Sequence, residues 1–72
     1  MMQEFVLSTD YIELVKLIKV LGFSKTGGQA KLFVEQGNVL LNGQQEYRKR
    51  AKIRSGDELQ VAGEIIKIRK QE

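Results

Sequence analysis

The chain contains neither cysteine nor histidine among its 72 residues, and this absence constrains its fold more than any single motif. Without these side chains it cannot form a disulfide or the usual zinc site, which support many very small domains. A domain of this length buries only about 60% of the surface of its unfolded chain. The fold must therefore depend on an apolar core, with little material left for an active-site cavity.

The composition indicates one folded unit. Hydrophobic residues make up 42% of the sequence and charged residues 29%, as in ordinary globular domains. The sequence has no proline, repeat or linker-like stretch. We expect residues 1–72 to form a single domain with a core at about residues 5–69. Because the longest helical pattern contains Lys16 and Lys19, and no signal sequence is visible, we expect a cytoplasmic protein that does not enter membranes.

Basic residues are concentrated in the middle of the chain. The net charge is only +3, but residues 16–54 hold nine Lys and Arg residues against two acidic ones. Such segregation is expected when one face of a protein meets a polyanion. A merely solvated surface is the alternative, and the charges alone leave both interpretations open.

The first half of the sequence predicts a strand and a helix. Residues 4–7 can form a short strand. Asp10-Tyr11-Ile12-Glu13 has the pattern of a capping box, in which the Asp10 carboxylate accepts from first-turn amides of a helix and Glu13 reaches back. Apolar residues recur at helical spacing from Tyr11 to Leu21, which predicts a buried stripe, and Gly22 is typical of the residue that follows a helix.

A second helix is predicted directly after the first. Thr26-Gly27-Gly28-Gln29 is a second capping box, with Thr26 as the N-cap residue. Ala30, Phe33 and Val34 form an apolar stripe, and Gly37 ends the helix. Because only a few residues separate the two helices, we expect them to be packed neighbours.

The second half of the sequence predicts antiparallel strands. Asn42-Gly43 is the strongest short signal for a hairpin, with the returning strand at Gln44 to Tyr47. A turn at residues 62–64 separates two further alternating segments, and residues 48–52 are too charged for an interior strand. The predicted fold class is α+β, with two packed helices followed by a small antiparallel sheet.

The start of the second helix is a candidate phosphate site. A helix N-terminus presents unpaired amides and a partial positive charge. Two glycines in the first turn cost about 1 kcal/mol each in helix propensity, so they require an explanation. A phosphate could approach the Gly27 and Gly28 amides closely, with Lys25 and Lys31 beside it. Alternatively, the glycines permit a tight turn or close packing against the first helix.

The run Arg48-Lys49-Arg50-Ala51-Lys52 is a second candidate site. Its cations repel one another unless water, salt or a polyanion screens them, and each phosphate neutralised would add to affinity. A solvated loop is the alternative. Tyr47 precedes the run and could stack on an unpaired base, although packing on the sheet as the last apolar residue of a strand is favoured over stacking.

An enzymatic activity finds little support in the sequence. Capping explains Asp10 and Glu13, and a turn followed by a strand explains Asp57 and Glu58, so no carboxylate pair needs a catalytic role. The glycine pair lacks the pattern of a nucleotide-binding P-loop. We therefore expect no catalytic residue, metal site, cofactor or small-molecule substrate.

Residues 12 to about 63 resemble the S4-like RNA-binding domain, named for a ribosomal protein of the small subunit, and in particular its small stand-alone bacterial branch. Each matching motif is weak, but their order and spacing are specific. The motifs are Ile12-Glu13-Leu14, Leu17-Ile18-Lys19, Leu21-Gly22-Phe23, Gly27-Gly28-Gln29-Ala30-Lys31, Glu35-Gln36-Gly37-Asn38-Val39, Val39 to Gly43, Glu46-Tyr47-Arg48-Lys49-Arg50, Lys52-Ile53 and Ser55-Gly56-Asp57.

The resemblance implies an αL-type module that docks onto helical or junction RNA, mostly through backbone and shape. Many members carry an arginine just before the Gln-Ala step, where this chain has Gly27 and Gly28. This departure favours a contact between phosphate and backbone amides over side-chain recognition. The expected RNA-binding residues are Lys25, Thr26, Gly27, Gly28, Lys31, Arg48, Lys49, Arg50 and Lys52.

The leading hypothesis is a small basic, non-enzymatic protein that binds structured RNA. Ribosomal RNA or ribosomal particles are the expected partners, with a role in ribosome biogenesis, either in assembly or in quality control. The alternative is a protein-docking module, in which the same cations bind an acidic partner protein.

Overall fold

The structure, a computed structural model, describes residues 2–71 and has an α+β fold. The helices are α1 (Leu14–Val20) and α2 (Gly27–Glu35). The strands are β1 (Met2–Leu7), β2 (Tyr11–Glu13), β3 (Val39–Leu41), β4 (Gln44–Gln45), β5 (Lys52–Arg54), β6 (Glu58–Val61) and β7 (Glu64–Lys70). The predicted fold class, with two neighbouring helices and a small sheet after them, is confirmed.

The main sheet has five strands in the order β1-β7-β6-β3-β4. Its neighbours are antiparallel except β1 and β7, which pair in parallel. The strands that follow the helices pair antiparallel, as expected, and the parallel pair is added by β1, for which the sequence indicated no partner. The chain leaves β1 for the helices and returns beside it only in its last strand, so no hairpin fixes the relative direction of these two strands.

Two tight turns set the register of the antiparallel part of the sheet. Asn42 and Gly43 connect β3 to β4 with positive φ angles of 52° and 84°. Ala62 and Gly63 connect β6 to β7 with φ angles of 52° and 79°. Positive φ at both central residues is the requirement of a type I′ turn, whose twist matches that of the flanking strands. Both predicted turns are confirmed.

The predicted start of the first helix is wrong. Tyr11–Glu13 forms β2, which pairs antiparallel with Lys52–Arg54 in a separate two-stranded ribbon, and α1 begins only at Leu14. The Asp10 carboxylate caps no helix, and instead accepts a hydrogen bond from Lys70 Nζ at 2.7 Å. Pairing with β5 gives hydrogen-bond partners to the backbone amides and carbonyls of β2, so these residues do not need a helix. Strand β5 lies about 40 residues away in the sequence.

One apolar cluster joins the helices to both sheets. Helix α1 contributes Leu14, Leu17 and Ile18, and α2 contributes Ala30 and Val34, all with no exposed surface. The predicted apolar stripe of α2 is therefore confirmed. Within residues 2–71, neither helix is long and apolar enough to span a membrane.

The two helices are joined by a turn that the sequence predicts well. The Gly22 amide donates to the Lys19 carbonyl oxygen and the Phe23 amide to that of Ile18, both at 3.1 Å, and Gly22 has a φ of 88°. This is the Schellman motif that ends many helices. Phe23 then stacks on Phe33 of α2 with 6.2 Å between ring centroids, which holds the helices together.

Candidate nucleic-acid interface

The first turn of α2 is capped by its own side chains. The Gln29 amide donates to Thr26 Oγ1 at 3.1 Å, and Gln29 Oε1 accepts from the backbone amide of Lys25 at 3.0 Å. The predicted capping box is confirmed, except that the glutamine reaches one residue further back than the usual pattern. These bonds fix the direction in which the chain enters the helix.

The two glycines at this end are not required by the fold. An added Cβ atom would meet nothing within 4 Å at Gly27, and only Thr26 Oγ1 at 3.9 Å at Gly28. Neither glycine has a positive φ angle. Neither of their amides has an acceptor among residues 2–71. The explanation by a tight turn or close helix packing therefore lacks support, and two exposed amides remain free to bind an anion.

A single side of α2 connects this end of the helix to the second candidate site. Lys31 lies four residues after Gly27 and four before Glu35, so the three share one helix face. At the far end, Glu35 Oε2 lies 3.6 Å from Lys49 Nζ. We call Gly27, Gly28, Lys31 and Glu35 the α2 stripe; it spans roughly 12 Å along the helix axis.

The residues Arg48, Lys49, Arg50 and Ala51, here called the basic loop, are fastened to the start of α1. The Leu14 amide donates to the Ala51 carbonyl oxygen at 2.8 Å. The next amide of the helix donates to the Lys49 carbonyl oxygen at 3.0 Å. Since Glu13, the N-cap residue, makes no capping bond with its side chain, the loop backbone does the work of a capping residue.

Each cation of the basic loop faces one carboxylate from a different part of the fold. The pairs are Arg48 with Glu46 at 3.0 Å, Lys49 with Glu35 at 3.6 Å and Arg50 with Glu13 at 3.0 Å. The Arg48 and Arg50 side chains are nevertheless 77% and 82% exposed. Exposed ion pairs contribute only about 0–1 kcal/mol each, so their main effect is to orient the side chains.

The pair of Arg48 and Glu46 also shifts ionisation. A hydrogen bond from the Arg48 side chain lowers the pKa of the Glu46 carboxyl below its ordinary value, against an opposing contribution from burial. The same contact raises the pKa of Arg48. Both groups therefore stay charged at neutral pH, and the end of the loop keeps its anchor there.

Other cations near these elements have no anionic partner. Within residues 2–71, no carboxylate lies within salt-bridge distance of them. They are Lys16 and Lys19 on α1, Lys25 and Lys31 around α2, and Lys52 and Arg54 on β5. All six are exposed, so the middle of the chain carries positive charge that its own carboxylates do not neutralise.

The predicted strand ending at Tyr47 is wrong. Strand β4 ends at Gln45, and Tyr47 lies outside the sheet with 55% of its surface exposed. Its hydroxyl donates to Gln45 Oε1 at 2.8 Å, and its ring lies against Gly37. The Gln45 side chain also donates to the Gly37 carbonyl oxygen, so side-chain contacts hold this segment beyond the last backbone bond, which runs from the Glu46 amide to the Val39 carbonyl oxygen.

One constellation was not predicted from the sequence. Tyr11, which we expected on the buried stripe of a helix, lies on the outer side of the ribbon beside Lys52 and Arg54. The signal that could have revealed it is a pair of matching triplets, Tyr-Ile-Glu and Lys-Ile-Arg. Each triplet has a central isoleucine, and the flanking residues are complementary across two paired strands.

Comparisons with known proteins agree with this architecture. The model of the S4 domain family matches residues 5–69. The Escherichia coli protein YbcJ is 38% identical over 58 residues, which are 81% of this chain and 83% of YbcJ, and YbcJ of Shigella flexneri matches equally. The solution structure of E. coli YbcJ, which reveals an alfa-L motif involved in RNA binding, matches with a TM-score of 0.70 at 36% identity. That match covers 96% of this chain and 89% of YbcJ.

Proposed function

This chain belongs to the S4 domain family, and we propose that it is a non-enzymatic protein that binds structured RNA through the basic loop and the α2 stripe. The relative YbcJ carries a motif involved in RNA binding within the same fold, which supports RNA as the polyanion. The proposed contact residues are Lys25, Thr26, Gly27, Gly28, Lys31, Arg48, Lys49, Arg50 and Lys52.

The observation that carries the proposal is the combination of a fixed loop backbone with exposed cationic side chains. Main-chain bonds to Leu14 and Val15 hold the loop at the start of α1. Its two arginine side chains project largely into solvent, each oriented by a carboxylate. A preorganised cationic surface binds phosphates without a large cost of ordering the chain.

The α2 stripe extends this surface. Its two glycine amides are free, exposed and not crowded, and Lys31 lies between them and the basic loop. A phosphate backbone could therefore follow the helix from its N-terminus to the loop, over roughly 12 Å. Few side chains on this path could read base edges, so we propose recognition of RNA shape.

The finer part of the proposal concerns the target. We propose ribosomal RNA as the ligand and ribosome assembly or quality control in the cytoplasm as the setting. Its support is the resemblance to a module named for a ribosomal protein and a surface suited to phosphates in a fixed arrangement. Crosslinking in cells followed by sequencing of the attached RNA tests this part. Crosslinks at a few ribosomal junctions would support it, and a profile equal to that of a non-binding control would contradict it.

The binding surface is tested by changing Arg48, Lys49 and Arg50 to alanine together. Each phosphate contact contributes about 0.9 to the slope of log affinity against log salt concentration. We expect the variant to bind a structured RNA more weakly, with a slope flatter by roughly 2 to 3 units. Fluorescence anisotropy over a series of salt concentrations measures both quantities.

Strand β7 offers a matched control. Changing Lys67, Arg69 and Lys70 to alanine removes the same charge from exposed positions of the five-stranded sheet. We expect this control to change the salt slope by less than one unit. Equal slopes in the two triple variants would remove the basic loop from the site. If the protein binds an acidic protein and excess structured RNA does not displace that partner, a protein-docking module would instead be favoured.

A further inference from the structure

The outer side of the β2–β5 ribbon presents an aromatic ring between cations. Tyr11 is 41% exposed, with Lys52 Nζ 5.1 Å and the Arg54 guanidinium carbon 5.6 Å from its ring centroid. In the register of the ribbon, Tyr11 is directly opposite Arg54, which places both on the same side. The other side carries Ile12 and Ile53, which pack into the core.

The core does not account for the position of this tyrosine. Ile53 is fully buried and Ile12 packs against the core, so the apolar contacts of the ribbon are made by its inner side. The Tyr11 ring instead lies against two exposed cations that have no carboxylate partner within residues 2–71. Both cations lie over the ring, and an exposed aromatic ring grouped with cations is a combination that proteins use to bind single-stranded nucleic acid.

An open cleft lies beside the ring and offers space for a ligand. Its volume is about 550 Å³, and it is lined by Thr9, Asp10, Tyr11, Ile12, Glu13 and Lys16. This volume lies in the range of small-molecule sites. The two carboxylates of the lining disfavour a phosphate inside the cleft, although Lys70 and Arg50 partly neutralise them. A base, which is uncharged, fits this environment better than a phosphate does.

We propose that an unpaired RNA base stacks on Tyr11, while Lys52 and Arg54 contact the phosphates on either side of that nucleotide. This inference rests on the proposed function and adds a class of target to it, namely a helix that carries a bulged or junction nucleotide. Arg50 and Lys52 connect the two surfaces, because the basic loop runs directly into β5. The loop and α2 stripe hold paired RNA, and Tyr11 selects the unpaired nucleotide beside it.

Two RNA hairpins that differ by a single unpaired nucleotide test this inference. The unpaired position carries 2-aminopurine, whose fluorescence is quenched when it stacks. We expect the wild-type protein to bind the bulged hairpin roughly 5- to 150-fold more tightly than the continuous one, the range that corresponds to stacking of one base on an aromatic ring. The Y11L substitution should remove most of this preference and the quenching, and leave the affinity for the continuous hairpin unchanged.

The Y11F substitution is the matched control. It keeps the ring and removes only the hydroxyl, so the preference and the quenching should persist. Thermal unfolding of both variants shows whether the ribbon stays folded, and unchanged binding to the continuous hairpin reports the same for the RNA surface.

The outcomes separate this inference from the proposed function. If Y11L keeps the preference and the quenching, Tyr11 is not the stacking platform, although RNA binding by the basic loop stands. If the wild-type protein binds the continuous hairpin but shows no preference for the bulged one, only the inference is overturned. If the wild-type protein binds neither hairpin, the proposed function is overturned as well.

Discussion

The two helices satisfy their first-turn amides in different ways. At α2, the Thr26 side chain accepts from Gln29, three residues ahead of it. At α1, carbonyl oxygens of the basic loop accept from Leu14 and Val15, although the loop is more than 30 residues away in the sequence. One helix start is therefore a local structure, and the other exists only when the chain has folded around it.

This difference separates two roles in the proposed RNA surface. At α1 the Leu14 and Val15 amides already donate to carbonyl oxygens of the basic loop. These two hydrogen bonds fix the position of the loop. At α2 the Gly27 and Gly28 amides remain free, because the local cap uses only the amide of Gln29. A helix start that is capped by a distant loop can organise cations, whereas one that is capped locally can bind an anion itself.

The largest expected effect on stability comes from disrupting the β2–β5 ribbon, which lies beside the start of α1. Ile53 is fully buried in β5, directly opposite Ile12 of β2. We expect I53A to lower the free energy of unfolding by about 2 to 5 kcal/mol, because it removes buried methyl groups and leaves a cavity. Urea unfolding followed by circular dichroism measures the loss.

Amide hydrogen exchange shows where the damage occurs. If α1 depends on the ribbon, the Leu14 and Val15 amides should lose more protection in I53A than the Gln29 amide does. The K52A substitution, at the exposed neighbour, is the control and should change stability by no more than about 0.5 kcal/mol. An equal loss of protection at both helix starts would mean that α1 has no special dependence on the ribbon.

A smaller effect is expected from the local cap of α2. The T26A substitution removes the acceptor of the Gln29 amide and should cost about 1 kcal/mol. T26S keeps the hydroxyl and should restore most of that loss. Because the cap is local, the amides at the start of α1 should keep their wild-type exchange rates. Faster exchange at Leu14 in T26A would show that the two starts are coupled.

The same contrast explains which predictions from the sequence are confirmed. The capping box at Thr26, the Asn42-Gly43 turn and the helix end at Gly22 depend on residues within a few positions of one another. Their geometry is encoded in short segments, so a reader of the sequence can recognise them. The family resemblance, which joins these signals by their order, is confirmed as well.

The wrong predictions share a dependence on distant pairing. Tyr11–Glu13 has a capping pattern, but pairing with β5 makes it a strand. Nor did the sequence indicate that β1 pairs in parallel with β7, at the other end of the chain. Periodicity does not reveal which strand lies beside another, so tertiary pairing overrode the local signal. For the same reason the cluster of Tyr11, Lys52 and Arg54 was missed, and the assignment of the RNA-contact residues stays a prediction.

The smallest stability effect also gives the clearest test of the free amides at α2. The G28A substitution adds a methyl group where the nearest contact is Thr26 Oγ1 at 3.9 Å, and φ is not positive. Alanine is the better helix former, so we expect the free energy of unfolding to rise by about 0.5 kcal/mol. If phosphate approaches the backbone here, RNA affinity should fall several-fold in spite of this stabilisation. Urea unfolding and fluorescence anisotropy measure the two quantities on the same variant.

A gain in stability together with a loss of RNA affinity in G28A would distinguish a binding role of Gly28 from a structural one. G22A is the matched control, because Gly22 has a φ of 88° and alanine is strained there. That variant should lose stability, and its RNA affinity should not change while it remains folded. A G28A protein that is more stable and binds RNA as tightly as the wild type would show that no phosphate comes close to this turn. RNA binding would then depend on the basic loop, and the free amides of α2 would have no part in it.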